Sequence, residues 1–192
     1  MTFSAEEFDN LHFNKEIALE ANLQRKVFVR CTFDHCDFSK SSFKHSKFLE
    51  CRMIASNFSL VQLDSCRLQD CVFENCKLVG VNFAKCEKLF LSLRFNKCLM
   101  DTCNFSDLDL KGTQFLECHI RNTHFTQTNL SEADFKGSDL QGSLFHNSDL
   151  RKANFRGAQN YSINPLTNKL LKAKFSKSEV MTLLDHLEIL ID

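Results

Sequence analysis

Tryptophan is absent from this sequence, and tyrosine and proline occur once each. Its aromatic content is therefore almost entirely phenylalanine, twenty residues. Phenylalanine has no polar handle, so it suits a dry and sterically repetitive setting. Net charge is absent too, because 24 basic residues balance 24 acidic ones. Bulk charge thus points to neither a nucleic acid nor a membrane surface. No apolar run approaches the length of a membrane span. The first residues, MTFSAEEFDN, carry no basic n-region and no apolar h-region, so no signal peptide is expected. The ten cysteines are accordingly expected to be reduced thiols in the cytoplasm. The length, 192 residues, suits one domain with a sizeable core.

What is present looks at first like a metal site. Residues 31–51 bring Cys31, Cys36 and Cys51 close to His35 and His45. A longer period explains them better. Eleven phenylalanines, from Phe3 to Phe83, leave the same remainder when numbered modulo five, and the other nine, from Phe90 to Phe175, share a second remainder. Met53, Leu63, Leu68 and Leu78 fill the gaps of the first run; Met100, Leu110, Ile120, Leu130, Leu140 and Leu150 fill those of the second. Every cysteine keeps the phase two residues before a centre, a slot held elsewhere by Ser, Thr, Ala or Val. A period of five matches neither a helix nor a flat strand. It fits a chain that turns a corner every five residues, with the bulky centre and the small residue inside and the other three positions in water. The histidines then fall outside and the cysteines inside, so the two cannot share a metal ion. Residues twenty apart would stack at about the strand spacing of 4.8 Å, but parallel side chains give poor disulfide geometry, and free thiols are expected.

These quintets, as in Ala133–Gly137 and Ala153–Gly157, resemble those of the pentapeptide repeat proteins, strongly over 26–158 and weakly over 8–25. The resemblance implies an all-β fold, a right-handed quadrilateral parallel β-helix of seven to eight coils with a filled interior. The two extra residues at 84–89 predict a bulge at one corner. Three segments are expected: 1–25 as an N-terminal cap with weak repeats, 26–158 as the β-helix, and 159–192 as a C-terminal helix and tail. The run SerLysSerGlu at 176–179 reads as a capping box, with Ser176 at the N-cap and Glu179 reaching back. Val180, Met181, Leu183, Leu184 and Leu187 follow at helical spacing, and Ile189, Leu190 and Ile191 are too apolar to stay wet. A short α-helical module that caps the open end and joins two copies is expected there.

No nucleophile–base pair, phosphate loop or ligand cluster is legible, so neither an enzyme nor a cofactor is expected, and no small-molecule substrate. The resemblance extends to the quinolone-resistance (Qnr) and mycobacterial members of the family, homodimers that bind DNA gyrase or topoisomerase IV by DNA mimicry. It implies a type II topoisomerase as partner, with modulation of that enzyme or its protection from quinolones or toxins. A duplex mimic should be acidic where a basic saddle grips it. Residues 98–150 carry a net charge of −5, and the band comprises Asp101, Asp107, Asp109, Glu117, Glu132, Asp134, Asp139 and Asp149. Residues 26–97 carry +5 and residues 151–177 carry +7. Direct nucleic-acid binding and membrane binding are not expected. The alternative is an interaction scaffold with an unidentified protein partner.

Overall fold

A computed structural model describes residues 3–187 and 189. The chain winds as a parallel β-solenoid of about eight turns. Each coil is four quintets, because backbone partners lie twenty residues apart: Phe8 pairs with Phe28, Phe28 with Phe48, Phe13 with Phe33. Four faces result. The first carries centres such as Phe28, Phe48 and Leu130, the second Phe33, Phe95 and Phe135, the third Phe38, Leu78 and Ile120, and the fourth Phe43, Phe83 and Phe125. Strands are two to four residues long, and each corner is made by the residue two after a centre, nearly always at positive φ. All five glycines sit at such corners, yet most corners hold Lys, Glu, Asn or similar residues in the same left-handed conformation. That conformation costs a non-glycine residue about 1–2 kcal/mol. The ladder of each coil on the next, and the core beneath it, must outweigh it.

The core is built from stacked rings. Phe95, Phe115, Phe135, Phe155 and Phe175 form one pile, with successive centroids 5.2, 4.9, 5.0 and 5.2 Å apart and planes within 11° of parallel. Phe83, Phe105, Phe125 and Phe145 form another on the opposite face. The two piles meet edge to face, as where Phe105 and Phe115 lie 5.8 Å apart at 87°. Over these coils leucine, isoleucine and methionine occupy the other two faces, whereas Phe28, Phe48, Phe38 and Phe58 stand there nearer the N-terminus. Where Met53, Leu63, Leu68 and Leu78 replace rings, an apolar void of about 10 Å³ remains, at most the room of a single water. Phe3 is not a wall residue. It plugs the first coil from the end, its ring 4.9 Å from Phe13 and 5.6 Å from Phe38.

The small slot has a polar task that its size alone does not reveal. Ser138 Oγ donates to the Phe115 carbonyl at 2.7 Å and accepts the Cys118 amide at 2.9 Å. Ser46 and Ser143 make the same pair of bonds to the preceding coil. Cysteine does this weakly: Cys36 Sγ reaches the Phe13 carbonyl at 3.4 Å and Cys51 Sγ the Phe28 carbonyl at 3.4 Å. Corner amides and carbonyls that the short strands leave over are satisfied here. All ten cysteines are free and buried.

The register shift is larger than a corner bulge. Phe83–Lys85 forms a turn of 3-10 helix, and the chain rejoins the ladder at Ser92, whose amide donates to the Leu68 carbonyl at 3.1 Å. Phe90 therefore is not a core centre. It stands 56% exposed at φ +64°, with the Arg67 guanidinium 4.6 Å over its ring, and Leu91 turns toward the core instead. The two extra residues thus leave Phe90 on the outside of the rung, and the smaller Leu91 takes the inward place.

Past Phe155 the quintet pattern fails, but the winding goes on. Ile163 pairs beside Phe145 after only eighteen residues, Pro165 and its neighbours make up the length, and Phe175 stacks on Phe155. Asn168 fills a small slot, accepting the Ser148 amide at 3.0 Å and donating to the Phe145 carbonyl at 3.0 Å. The terminal helix, Val180–His186, is a 3-10 helix rather than an α-helix, and the capping box does not form. Ser176 directly follows the last strand, and its hydroxyl accepts the Gly157 amide at 2.8 Å. Glu179 occupies the N-cap position without a side-chain bond.

Candidate interaction surface

The filled interior leaves recognition to the outer faces. Each quintet sends three side chains outward: those one before, one after and two after the centre. His35, His45, His119, His124 and His146 are all exposed there, while every cysteine lies behind the wall. Burial pushes the Cys51, Cys86 and Cys103 thiols up to about 12, so they remain protonated and unreactive at neutral pH.

The eight acidic residues of the band do not assemble on one face. Asp109 and Asp149 lie on the first face, Asp134 on the second, Asp101 and Asp139 on the third, and Glu132, Glu117 and Asp107 at three different corners. Several have structural work that the sequence reading missed. Asp134 Oδ1 accepts the Lys136 amide and the Asn154 side-chain amide, both at 2.9 Å. Asp109 does the same with Lys111 and Asn129, at 3.2 and 2.8 Å. Such Asx turns bend the chain into each corner. The signal was an Asp or Asn just before a centre, repeated at twenty-residue intervals.

Cations engage much of the remainder. Arg151 hydrogen-bonds Asp149 at 2.5 Å and holds its carboxyl below the usual range. Asp139 is lowered as well: burial raises it, but the Asn160 amide and the Arg121 guanidinium outweigh that. Glu132 lies between Lys152 at 3.3 Å and Lys111 at 3.8 Å, and Glu117 faces Lys97 at 3.7 Å. These pairs are exposed and worth little individually, but they cancel the band's field at close range.

The C-terminal residues divide. Leu183 packs on the core, and Val180 and Leu184 are half-buried. The helix sits on the Ser162–Ile163 strand, where Ser162 Oγ is 3.2 Å from His186 Nε2. Met181, Leu187 and Ile189 remain 47%, 36% and 52% exposed. Leu190 and Ile191 lie outside the described residues. No helix among the described residues is long and apolar enough to cross a membrane.

Solved structures similar to this fold include QnrB1, a plasmid-mediated fluoroquinolone resistance protein, in a trypsin-treated variant form. That match covers 97% of this chain and 90% of that one, at 16% identity and a TM-score of 0.56. HetL from the cyanobacterium Nostoc sp. strain PCC 7120, a pentapeptide repeat protein involved in heterocyst differentiation regulation, matches over 89% of this chain and 87% of its own, at 16% identity and a TM-score of 0.51. Among curated proteins there is no significant match. The sequence model of the pentapeptide repeat region matches residues 26–90 and 88–155. With that span, the chain belongs to the pentapeptide repeat proteins.

Proposed function

We propose that this protein is a non-enzymatic binding rod whose partner is a type II topoisomerase, DNA gyrase or topoisomerase IV. The observation that carries the binding role is the closed interior: rings and small residues fill it from Phe3 to Phe175, so the outer faces alone meet other molecules. The topoisomerase is favoured by a rod that aligns along nearly its whole length with a fluoroquinolone resistance protein. The charge layout limits how such binding would work. With the acidic side chains divided among three faces and the corners, mimicry would rest on the shape of the rod and on local acidic spots such as Asp101 and Asp107, not on one negative stripe.

A second copy belongs to this reading. Met181, Leu187 and Ile189, with Leu166 and Leu171 of the last coil, expose apolar surface at the C-terminal end. A two-fold contact there would cover it and lengthen the rod. The other reading, a scaffold for a different protein, is favoured by the same scattered charge.

Gyrase supercoiling with the purified protein, with and without a fluoroquinolone, separates them. Inhibition at micromolar protein, or rescue from the drug at lower amounts, is the expected result. No effect on either topoisomerase would sink the topoisomerase reading and leave the scaffold.

A further inference from the structure

The folded rod brings basic side chains of the +7 stretch 151–177 together with Lys136 of the coil before. Lys136 and Arg156 follow the stacked Phe135 and Phe155 on the second face, at equivalent positions of adjacent coils. Lys174 lies on the next rung, paired beside Asn154. Lys172 stands on the corner that borders it, and Lys177 follows two residues after Phe175. All five are exposed, and none makes an ion pair among the described residues. The nearby anions are already engaged: Asp134 by Asn154 and the Lys136 amide, Glu132 by Lys111 and Lys152, Glu117 by Lys97. At the corner beside Lys136 and Arg156, Gly137 and Gly157 stack with bare backbone. A Cβ on Gly157 would meet only Gly137 atoms, at 3.7 Å or more, so a bulky ligand can approach closely.

We propose that this C-terminal part of the second face binds the phosphate backbone of a nucleic-acid duplex without reading its sequence. Three rungs cover about 10 Å along the axis, and a duplex presents a negative charge every ~1.7 Å, so five cations meet several phosphates at once. An acidic protein would also satisfy the charge. Protein interfaces, however, rest on apolar or aromatic anchors. Within this patch no large apolar side chain is exposed among the described residues, and Leu171 lies only at its margin, on the first face. The absence of exposed aromatics there also argues against single-stranded ligands, which need stacking platforms.

The proposal does not depend on a topoisomerase partner, and its test contains no enzyme, so either can fail alone. Fluorescence anisotropy with a labelled mixed-sequence duplex of about 20 base pairs should show micromolar binding at low salt. The log–log dependence of affinity on NaCl should have a slope of about −2.7 to −4.5, as expected for three to five neutralised phosphates. The triple variant Lys136→Glu, Arg156→Glu, Lys174→Glu should lose at least tenfold in affinity, while Lys47→Glu on the N-terminal first face leaves it unchanged. Should the triple variant melt early, Arg156→Ala alone should still lower the salt slope by about one. No binding at low salt, an unchanged triple or single variant, or equally tight binding of labelled polyglutamate would overturn the proposal.

Discussion

Cysteine at the small slot shows how one residue type can carry several meanings until its surroundings are known. The thiols are volume fillers with a weak hydrogen bond to the coil before, and burial is the main force on the titration of Cys51, Cys86 and Cys103. This has a consequence for stability. An unfolded thiol titrates near about 8.5, whereas these three stay protonated to about 12. Between those values the unfolded chain binds fewer protons than the folded one, so stability falls as pH rises. The contribution is complete below about pH 8.5 and is lost toward pH 12, at up to about 1.4 kcal/mol per thiol per pH unit. Urea midpoints under reducing conditions should drop between pH 8 and pH 10. The drop should shrink in Cys51→Ala, Cys103→Ala, which the slot should accept, since Ala133 and Ala153 occupy it natively. An equal drop in that variant would assign the effect to other groups.

At the scale of the element, the unit is the pile of rings, not the strand. A strand of two or three residues has little stability of its own, and each coil hides its inner surface only against its neighbours. Phe115 lies between Phe95 and Phe135, at 5.2 and 4.9 Å, and touches the opposite pile edge-on. Phe115→Ala should therefore cost about 3–5 kcal/mol. Phe90 obeys the same arithmetic in the sequence yet stands outside, so Phe90→Ala should cost less than about 1 kcal/mol, the loss of an exposed cation–π contact. Chemical denaturation of the two variants tests this. Equal losses would mean that Phe90 belongs to the core. The period of five, the inward centres and the inward small slot were all legible, because steric repetition leaves a numerical trace. The ejection of Phe90 was not, since two inserted residues can be taken up in several ways and only the fit of Leu91 beneath the rung selects among them. The hydrogen-bonding task of the small slot was equally hidden, because Ala and Val share it with Ser and Cys.

At the scale of the molecule, the two ends and the outer faces decide behaviour. The first coil is closed by Phe3. The last carries a 3-10 helix that buries Leu183 but leaves Met181, Leu187 and Ile189 in water. A homodimer through that end should appear by light scattering at twice the chain mass. Met181→Lys with Leu187→Lys should shift it to the monomer without lowering the melting temperature by more than a few degrees. A wild-type chain that is monomeric at high concentration would remove the second copy from the proposed function. The acidic band is continuous only along the chain, because a helix that turns four corners every twenty residues deals neighbouring charges onto different faces.

The sequence by itself determined the inside of this protein: which residues meet, how often the chain turns, and that rings and thiols share a dry interior. Close packing tolerates few alternatives, so the interior is written as a strict period. Only the tertiary structure decided the outside. Solvent accepts almost any polar residue, so outward positions carry no period. Which charges pair, which stand free together on the second face, and which apolar residues remain uncovered at the C-terminal end depend on how successive coils align.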